Sequence, residues 1–282
     1  HIHDKIIWDC MNAPEFQRLR RIHQLGTTHQ VYHTAEHSRF AHSLGVYEIV
    51  RRLITENEEI SNALTDYEKM TVMVAALLHD IGHGPFSHSF EQISSYSHED
   101  YTCNIILRDS KIHDILYAED PDLPNDVANV IRHTHPNPLL VQMVSSQLDA
   151  DRMDYLLRDA YFTGTSYGEY DLERVLRTVR VRDHRMVVKE SGIHTIEDYI
   201  MARYHMYWQV YYHPVGRSYE AILHGLFERL RDVYEEDPED VSHLMMFLPL
   251  LQHQMLTNRE LLELDECSCQ YGFQLMSKCK DT

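Results

Sequence analysis

Long apolar runs are missing from this sequence. The longest, about Met70 to Leu78, falls far short of the ~20 residues that span a bilayer, which argues against a membrane protein. Cysteine is scarce: the five are Cys10, Cys103, Cys267, Cys269 and Cys279. An odd count without framework spacing argues against a disulfide-built secreted scaffold. Cys267 and Cys269 form only a C-x-C, short of a zinc motif. Basic residues are outnumbered, 26 Lys and Arg against 44 Asp and Glu, for a formal charge of -18. That balance argues against a nucleic-acid partner but leaves room for a local basic pocket. No secretory leader, internal repeat or low-complexity tract is visible. A soluble cytoplasmic protein is the expectation.

What is present is a 282-residue chain, 43% hydrophobic, with 18 Tyr and 21 His. That suffices for one or two domains with a substantial core. Helical patterns dominate. Asn12-Ala-Pro-Glu15 reads as a helix start, with Phe16, Leu19, Ile22 and Leu25 on one face and Gly26 as the stop. A second helix is expected from about Glu36 to Leu53. Thr65 and Glu68 form a capping box for a third, Tyr67 to His79, apolar nearly all round and so central. Further helices are expected at 86–92, 98–107, 125–132, 138–147, 151–161, 194–212 and 217–234. Alternation on each side of Asp183-His184 predicts a hairpin. Residues 228–240 hold seven acids against two arginines and read as a solvated surface.

Asp80-Ile-Gly-His-Gly-Pro85 breaks the helical pattern directly after the most apolar segment. His42, the pair His79-Asp80, and Asp151 make a mixed nitrogen and oxygen set suited to a first-row divalent ion. No cysteine joins them, which disfavours a closed structural zinc site. Four protein ligands on a six-coordinate ion leave about two positions open, a catalytic pattern. His79, Asp80, His83, His88, Glu91 and His98 lie within 20 residues.

These segments carry a resemblance. His37-Ser-Arg-Phe-Ala-His-Ser-Leu-Gly45 and His79-Asp-Ile-Gly-His-Gly-Pro-Phe-Ser-His88 resemble the signatures of the HD-domain phosphohydrolases. Glu15-Phe-Gln-Arg-Leu-Arg-Arg-Ile-His-Gln-Leu-Gly26 and Asp149-Ala-Asp-Arg-Met-Asp-Tyr-Leu-Leu-Arg-Asp159 are similar to motifs of the deoxynucleoside triphosphate triphosphohydrolases within that superfamily. The similarity runs from residue 1 to about 230.

The resemblance implies a mainly α fold: an HD-domain helical bundle with a small β-hairpin and additional C-terminal helices. It implies a catalytic core over 1–165, a hairpin and helices completing the nucleotide site over 166–230, and a C-terminal helical unit over 231–282 that can be read as cut short. The implied metal ligands are His42, His79, Asp80 and Asp151, with Asp149 and Asp154 as neighbours. Phosphate contacts match Arg39, His83, Arg152 and Arg203. Sugar contacts match Gln24 and Asp159, Tyr155 matches the aromatic that excludes a 2′-hydroxyl, and Tyr211 matches the residue beside the base. His98, Glu91 and His88 match the acid–base group, with either histidine open as principal acid.

The implied reaction is hydrolysis of a deoxynucleoside triphosphate to deoxynucleoside and inorganic triphosphate. One divalent ion per site is expected: manganese, iron or magnesium first, nickel or zinc also accommodated. Asn12, Arg18 and Arg20 match a nucleotide effector site, and Arg18, Arg20 and Arg21 together read as an anion site on one helix. A homo-oligomer, a tetramer built from two dimers, is the expected assembly. The chain departs from the family pattern at Ala41, Glu91, Pro214 and Asn12. Two other readings stay open: a phosphohydrolase of the same superfamily acting on another nucleotide, and a nucleotide sensor without turnover.

Overall fold

The most apolar segment of the sequence takes the most central place. The computed structural model describes residues 2 and 4–277; Cys279 and the end of the expected 231–282 unit lie outside them. Helix Asp66–Leu78 opens on the expected capping box, Thr65 with Glu68. Val72, Val74, Ala75, Ala76, Leu77 and Leu78 are completely buried. Each such valine or leucine contributes about 1.5–3 kcal/mol by leaving water, and each alanine methyl less. Helices Arg39–Glu56, Leu123–Ile131 and Pro138–Val144 pack around this rod, and Ala150–Thr163 packs against Arg39–Glu56.

The fold is mainly α-helical, with a two-stranded hairpin and additional C-terminal helices. In the hairpin, Val179–Arg182 pairs antiparallel with Arg185–Val188, Val179 opposite Val188. The turn residues Asp183 and His184 both have positive φ, 50° and 56°, which matches the right-handed twist of the flanking strands. Among the described residues no helix is long and apolar enough to cross a membrane.

Two glycines set distances that matter below. A Cβ at Gly45 would overlap the carboxylate of Asp154, so its absence lets helices Arg39–Glu56 and Ala150–Thr163 touch. A Cβ at Gly82 would collide with the backbone of His98 and Thr102. The turn after helix Asp66–Leu78 therefore nests on the start of helix His98–Leu107.

Three expected helices change shape. The one expected from Asn12 to Gly26 is Pro14–Arg18 with a short 3-10 turn, Leu19–Arg21, behind an earlier helix, Lys5–Asn12. The chain then straightens: Gln24 N–H donates to His37 O and Arg39 N–H to Ile22 O, both at 3.0 Å. That pairing also keeps residues 36–38 extended, so the next helix starts at Arg39 rather than Glu36. The helix expected over 194–212 runs as Ile193–Met206 and then widens into a π-helix, Tyr207–Tyr211. The patterning also passed over helices Glu58–Ala63, Lys111–Glu119 and Leu172–Thr178.

Candidate active site

Three helix ends meet at one point. His42 lies in the first turn of Arg39–Glu56, His79 and Asp80 follow directly on Asp66–Leu78, and Asp151 is near the start of Ala150–Thr163. His42, His79 and Asp151 offer ligand atoms within 4.8 Å of one another. Asp80 stands beside them, its Oδ1 3.4 Å from His79 Nε2 and its Oδ2 3.7 Å from His42 Nε2.

The hydrogen bonds around the imidazoles test whether a cation fits. His42 Nδ1 faces Asp154 Oδ2 at 2.8 Å, and His79 Nδ1 faces Ala76 O at 2.9 Å. Both partners are acceptors, so both Nδ1 atoms donate and both Nε2 atoms are left as lone pairs. Each Nε2 is buried without a partner in hydrogen-bonding geometry, although Asp151 Oδ1 lies 3.0 Å from one and 3.7 Å from the other. Orphaned nitrogen donors facing carboxylates, each held by a further acceptor behind it, are the arrangement of a divalent metal centre. Burial opposes charge on His42, yet hydrogen bonding and charge from Asp151 and Asp154 push it up to about 10. Burial would likewise raise Asp151 and Asp80, but their charged neighbours hold both below the usual carboxylate range. The centre calls for positive charge, which a proton or a metal ion can supply. Asp151 forms its open edge, 31% exposed against 10% or less for the other three side chains.

Beside this centre, Glu91 holds two imidazoles. Its Oε1 accepts from the His98 N–H at 3.1 Å and from His98 Nδ1, and its Oε2 faces His88 Nδ1 at 3.3 Å. Burial raises the Glu91 carboxyl, but the two histidines outweigh it and hold it well below the usual range. His98 stacks on His83 with ring centroids 4.0 Å apart. His83 in turn sits 3.3 Å from Asp80. Burial, with Arg39 and His98 nearby, keeps the His83 imidazole far below its ordinary value and hence neutral. His88 points outward, 73% exposed.

A cleft of about 390 Å³ opens on the far side of Arg39, with Gln24, Tyr155, Asp159 and Tyr211 in its wall and His88 at its edge. Tyr211 O–H donates to Asp159 Oδ2 at 2.8 Å, and His37 Nε2 faces the other carboxylate oxygen at 2.6 Å. Tyr155 and Tyr211 meet edge to face, centroids 5.8 Å apart. Gln24 Oε1 is buried without a partner. Arg39 joins the cleft to the metal centre: it pairs with Asp80 and donates to Ser87 Oγ at 3.2 and 2.9 Å. Arg152 is held by Asp149 and Arg203 by Gln147 at 2.8 Å; neither lines this cleft.

The N-terminal arginines do not share a face. Arg18 is fully buried and donates to the carbonyls of Leu264, Ile81 and His83. Arg20 lies over the Phe40 ring and on Gln17, while Arg21 pairs with Asp265. Asn12 donates to Trp8 O. The reading of Arg18, Arg20 and Arg21 as one anion site is therefore corrected: Arg18 spends its guanidinium on backbone carbonyls inside the protein.

Comparisons with known proteins bear on the family and the fold. The HD domain family matches residues 39–159, and an HD associated region matches 170–268. The crystal structure of a phosphohydrolase from Bacteroides thetaiotaomicron superposes with a TM-score of 0.84 at 30% identity, covering 99% of this chain and 73% of that one. The chain belongs to the HD-domain phosphohydrolase superfamily. An uncharacterized protein of Bacillus subtilis, YwfO, is 51% identical over 274 residues, 97% of this chain and 63% of that protein. A deoxynucleoside triphosphate triphosphohydrolase SAMHD1 homolog of Dictyostelium discoideum is 30% identical over 258 residues, 84% of this chain and 50% of that protein. The chain thus spans between half and two thirds of these curated relatives.

Some residues of this HD domain were invisible as site residues in the sequence. Ser87 holds Arg39, Gln147 holds Arg203, and Arg158 clamps the carboxylate behind His42 at 2.7 Å. Each is an ordinary polar residue without a spacing signal. Only for Arg158 was there a local cue, its position one helical turn after Asp154.

Proposed function

We propose that this HD-domain chain hydrolyses deoxynucleoside triphosphates to deoxynucleoside and inorganic triphosphate. The observation that carries the reading is the position of Arg39, at once on the ligand Asp80 and in the wall of the cleft with Gln24, Tyr155, Asp159 and Tyr211. A phosphate held there has a sugar-sized pocket on one side and the metal centre on the other. The likeness to named triphosphohydrolases supports the same substrate class. When bound, a divalent ion held by His42, His79, Asp80 and Asp151 would neutralise charge on phosphoryl oxygens as a Lewis acid.

The side chains divide the remaining work. Arg39, Arg152 and Arg203 carry positive charge for the triphosphate, and a guanidinium can grip phosphate oxygens with two N–H groups. His83, neutral, is a hydrogen-bonding partner rather than a counter-ion. Water adds to the α-phosphorus and the bond to the 5′-oxygen breaks. With Nδ1 of His98 donating to Glu91, the imidazolium form presents its second proton, on Nε2, to the departing 5′-oxygen. The proton released by the attacking water restores it. Tyr155 closes the space beside C2′, Gln24 and Asp159 bind the 3′-hydroxyl, and Tyr211 stands next to the base.

We divide the chain functionally at 165 and 230, and the two matched family segments support the first boundary. We also assign it a homo-oligomeric state, a tetramer built from two dimers. Support comes from an exposed apolar stripe: Ile200 and Tyr204, one turn apart on helix Ile193–Met206, and Trp208 in the π-helix that follows, at 56, 59 and 70%, with Tyr219 and Ile222 on the next helix. Patches of this kind mark protein contacts. An effector site would draw on Asn12 and Arg20 without Arg18.

The test is product analysis. With manganese and each of the four deoxynucleoside triphosphates, chromatography should show deoxynucleoside and inorganic triphosphate in equal amounts. Monophosphate or orthophosphate as product would select another phosphohydrolase reaction. Tight nucleotide binding without any product would select a sensor.

A further inference from the structure

Leu264, Asp265 and Glu266 lie far along the chain from the HD motifs, yet they reach into the same corner as the site. Leu264 O accepts from Arg18, whose other donors go to Ile81 O and His83 O. Asp265 pairs with Arg21 and caps helix Glu266–Met276. Glu266 is buried, only 3% exposed. Its carboxylate accepts from the His23 N–H at 3.1 Å, from the Phe86 N–H at 3.4 Å and from His23 Nδ1.

The segment these contacts hold is the one that shapes the cleft. Phe86 and Ser87 both have positive φ, 61° and 52°, a strained conformation for non-glycine residues that persists only when neighbours enforce it. The neighbours here are Glu266 on the Phe86 N–H and His23 O, which accepts from Ser87 Oγ at 3.3 Å. Ser87 in turn orients Arg39. Burial lowers the Arg18 guanidinium only to about 10, so it remains charged while it gathers the carbonyls beneath the same turn.

His23, His29 and Glu36 also lie close enough to suggest a second metal centre. The rings of His23 and His29 are stacked 4.0 Å apart and within 7° of parallel, so no single point lies along the lone pairs of both. His23 instead bridges Glu266 and Glu36, the latter at 2.9 Å.

We infer that Glu266 is a positioning residue for the active site: through His23 and the Phe86 amide it enforces the strained 86–87 turn that aims Ser87 and Arg39 at the substrate phosphate. The C-terminal helical unit is then part of the site. The substrate in this inference rests on the triphosphohydrolase reading.

Hydrogen–deuterium exchange and kinetics on the full chain test it together. Glu266→Ala should raise exchange in peptides covering 81–90 while helix Asp66–Leu78 stays protected. It should lower kcat/KM for dGTP by about tenfold or more, chiefly through KM, as expected when a substrate contact is misaimed. Glu266→Gln keeps an oxygen acceptor for both backbone amides and should restore most of the protection and of kcat/KM. Unchanged exchange over 81–90 in the alanine variant would overturn the inference. So would a uniform rise across the whole chain without rescue by glutamine, since that is loss of stability alone. The exchange measurement needs no turnover, so a wild type that releases no inorganic triphosphate would refute the substrate reading while leaving the positioning role to be decided by exchange.

Discussion

His42 donates from Nδ1 to the Asp154 carboxylate at 2.8 Å, and this bond decides which nitrogen looks into the site. Arg158 grips both oxygens of the same carboxylate, each at 2.7 Å, so the orienting group is itself oriented. Asp154→Asn should keep the fold and weaken metal binding by about 10–100-fold, the usual cost of losing such a partner. Competition against a chelator measures it directly. Asp151→Ala should go further and remove most bound metal, read by elemental analysis, together with turnover.

Glu91 and His98 form one unit through two hydrogen bonds. Either change to alanine should lower kcat by about a hundredfold or more while metal stays bound. The double variant should be little worse than the single ones, because each removes the same proton donor from its working geometry. Steady-state kinetics on the four proteins decide this; losses that multiply would separate the two residues.

Tyr155 and Tyr211 meet at 5.8 Å in the wall of the cleft. Tyr155→Ala should narrow the preference for dGTP over GTP, compared as kcat/KM, by about tenfold. Tyr211→Phe deletes the hydroxyl that donates to Asp159 and should raise KM for both nucleotides without changing their ratio.

The His23 contact gives stability a defined pH dependence. Hydrogen bonding to Glu266 is the main cause that raises the His23 imidazole above its ordinary 6.5, with burial opposing and Glu36 assisting. A raised folded value means that the contribution is complete below about pH 6.5 and disappears as pH climbs through the folded value. Urea unfolding should therefore show His23→Gln less stable than wild type below about pH 6.5, with the gap shrinking as the pH is raised.

Trp208 is 70% exposed in line with Ile200 and Tyr204. If that stripe joins subunits, Trp208→Glu should shift the protein to a smaller species by light scattering, because a charge buried in an apolar contact costs several kcal/mol. The far-ultraviolet circular dichroism should not change.

Local signals were the legible ones. The Thr65–Glu68 cap, the apolar rod 70–78, helix His98–Leu107 and the two-residue hairpin turn at Asp183-His184 depend on neighbours in sequence, and the patterning places them well. The residues that would hold a metal were nameable because the HD-domain motifs carry them. What the patterning could not supply was the fate of Arg18, which reads as one of three surface arginines but turns inward, since its acceptors lie at Ile81, His83 and Leu264. Nor could it foresee the π-helix at Tyr207–Tyr211, which interrupts the helix expected over 194–212.

By itself, then, the sequence determined the helical elements, the hairpin and the chemical types gathered in its motifs, because caps, periodicity and turn residues act over a few bonds. The tertiary structure alone decided that His42 and His79 turn their unpaired nitrogens toward Asp151, that Ser87 steadies Arg39, and that Glu266 closes the turn beside them. These depend on where distant helix ends are brought by packing around the buried rod 70–78. The close approaches that Gly45 and Gly82 permit exist only once that packing is complete.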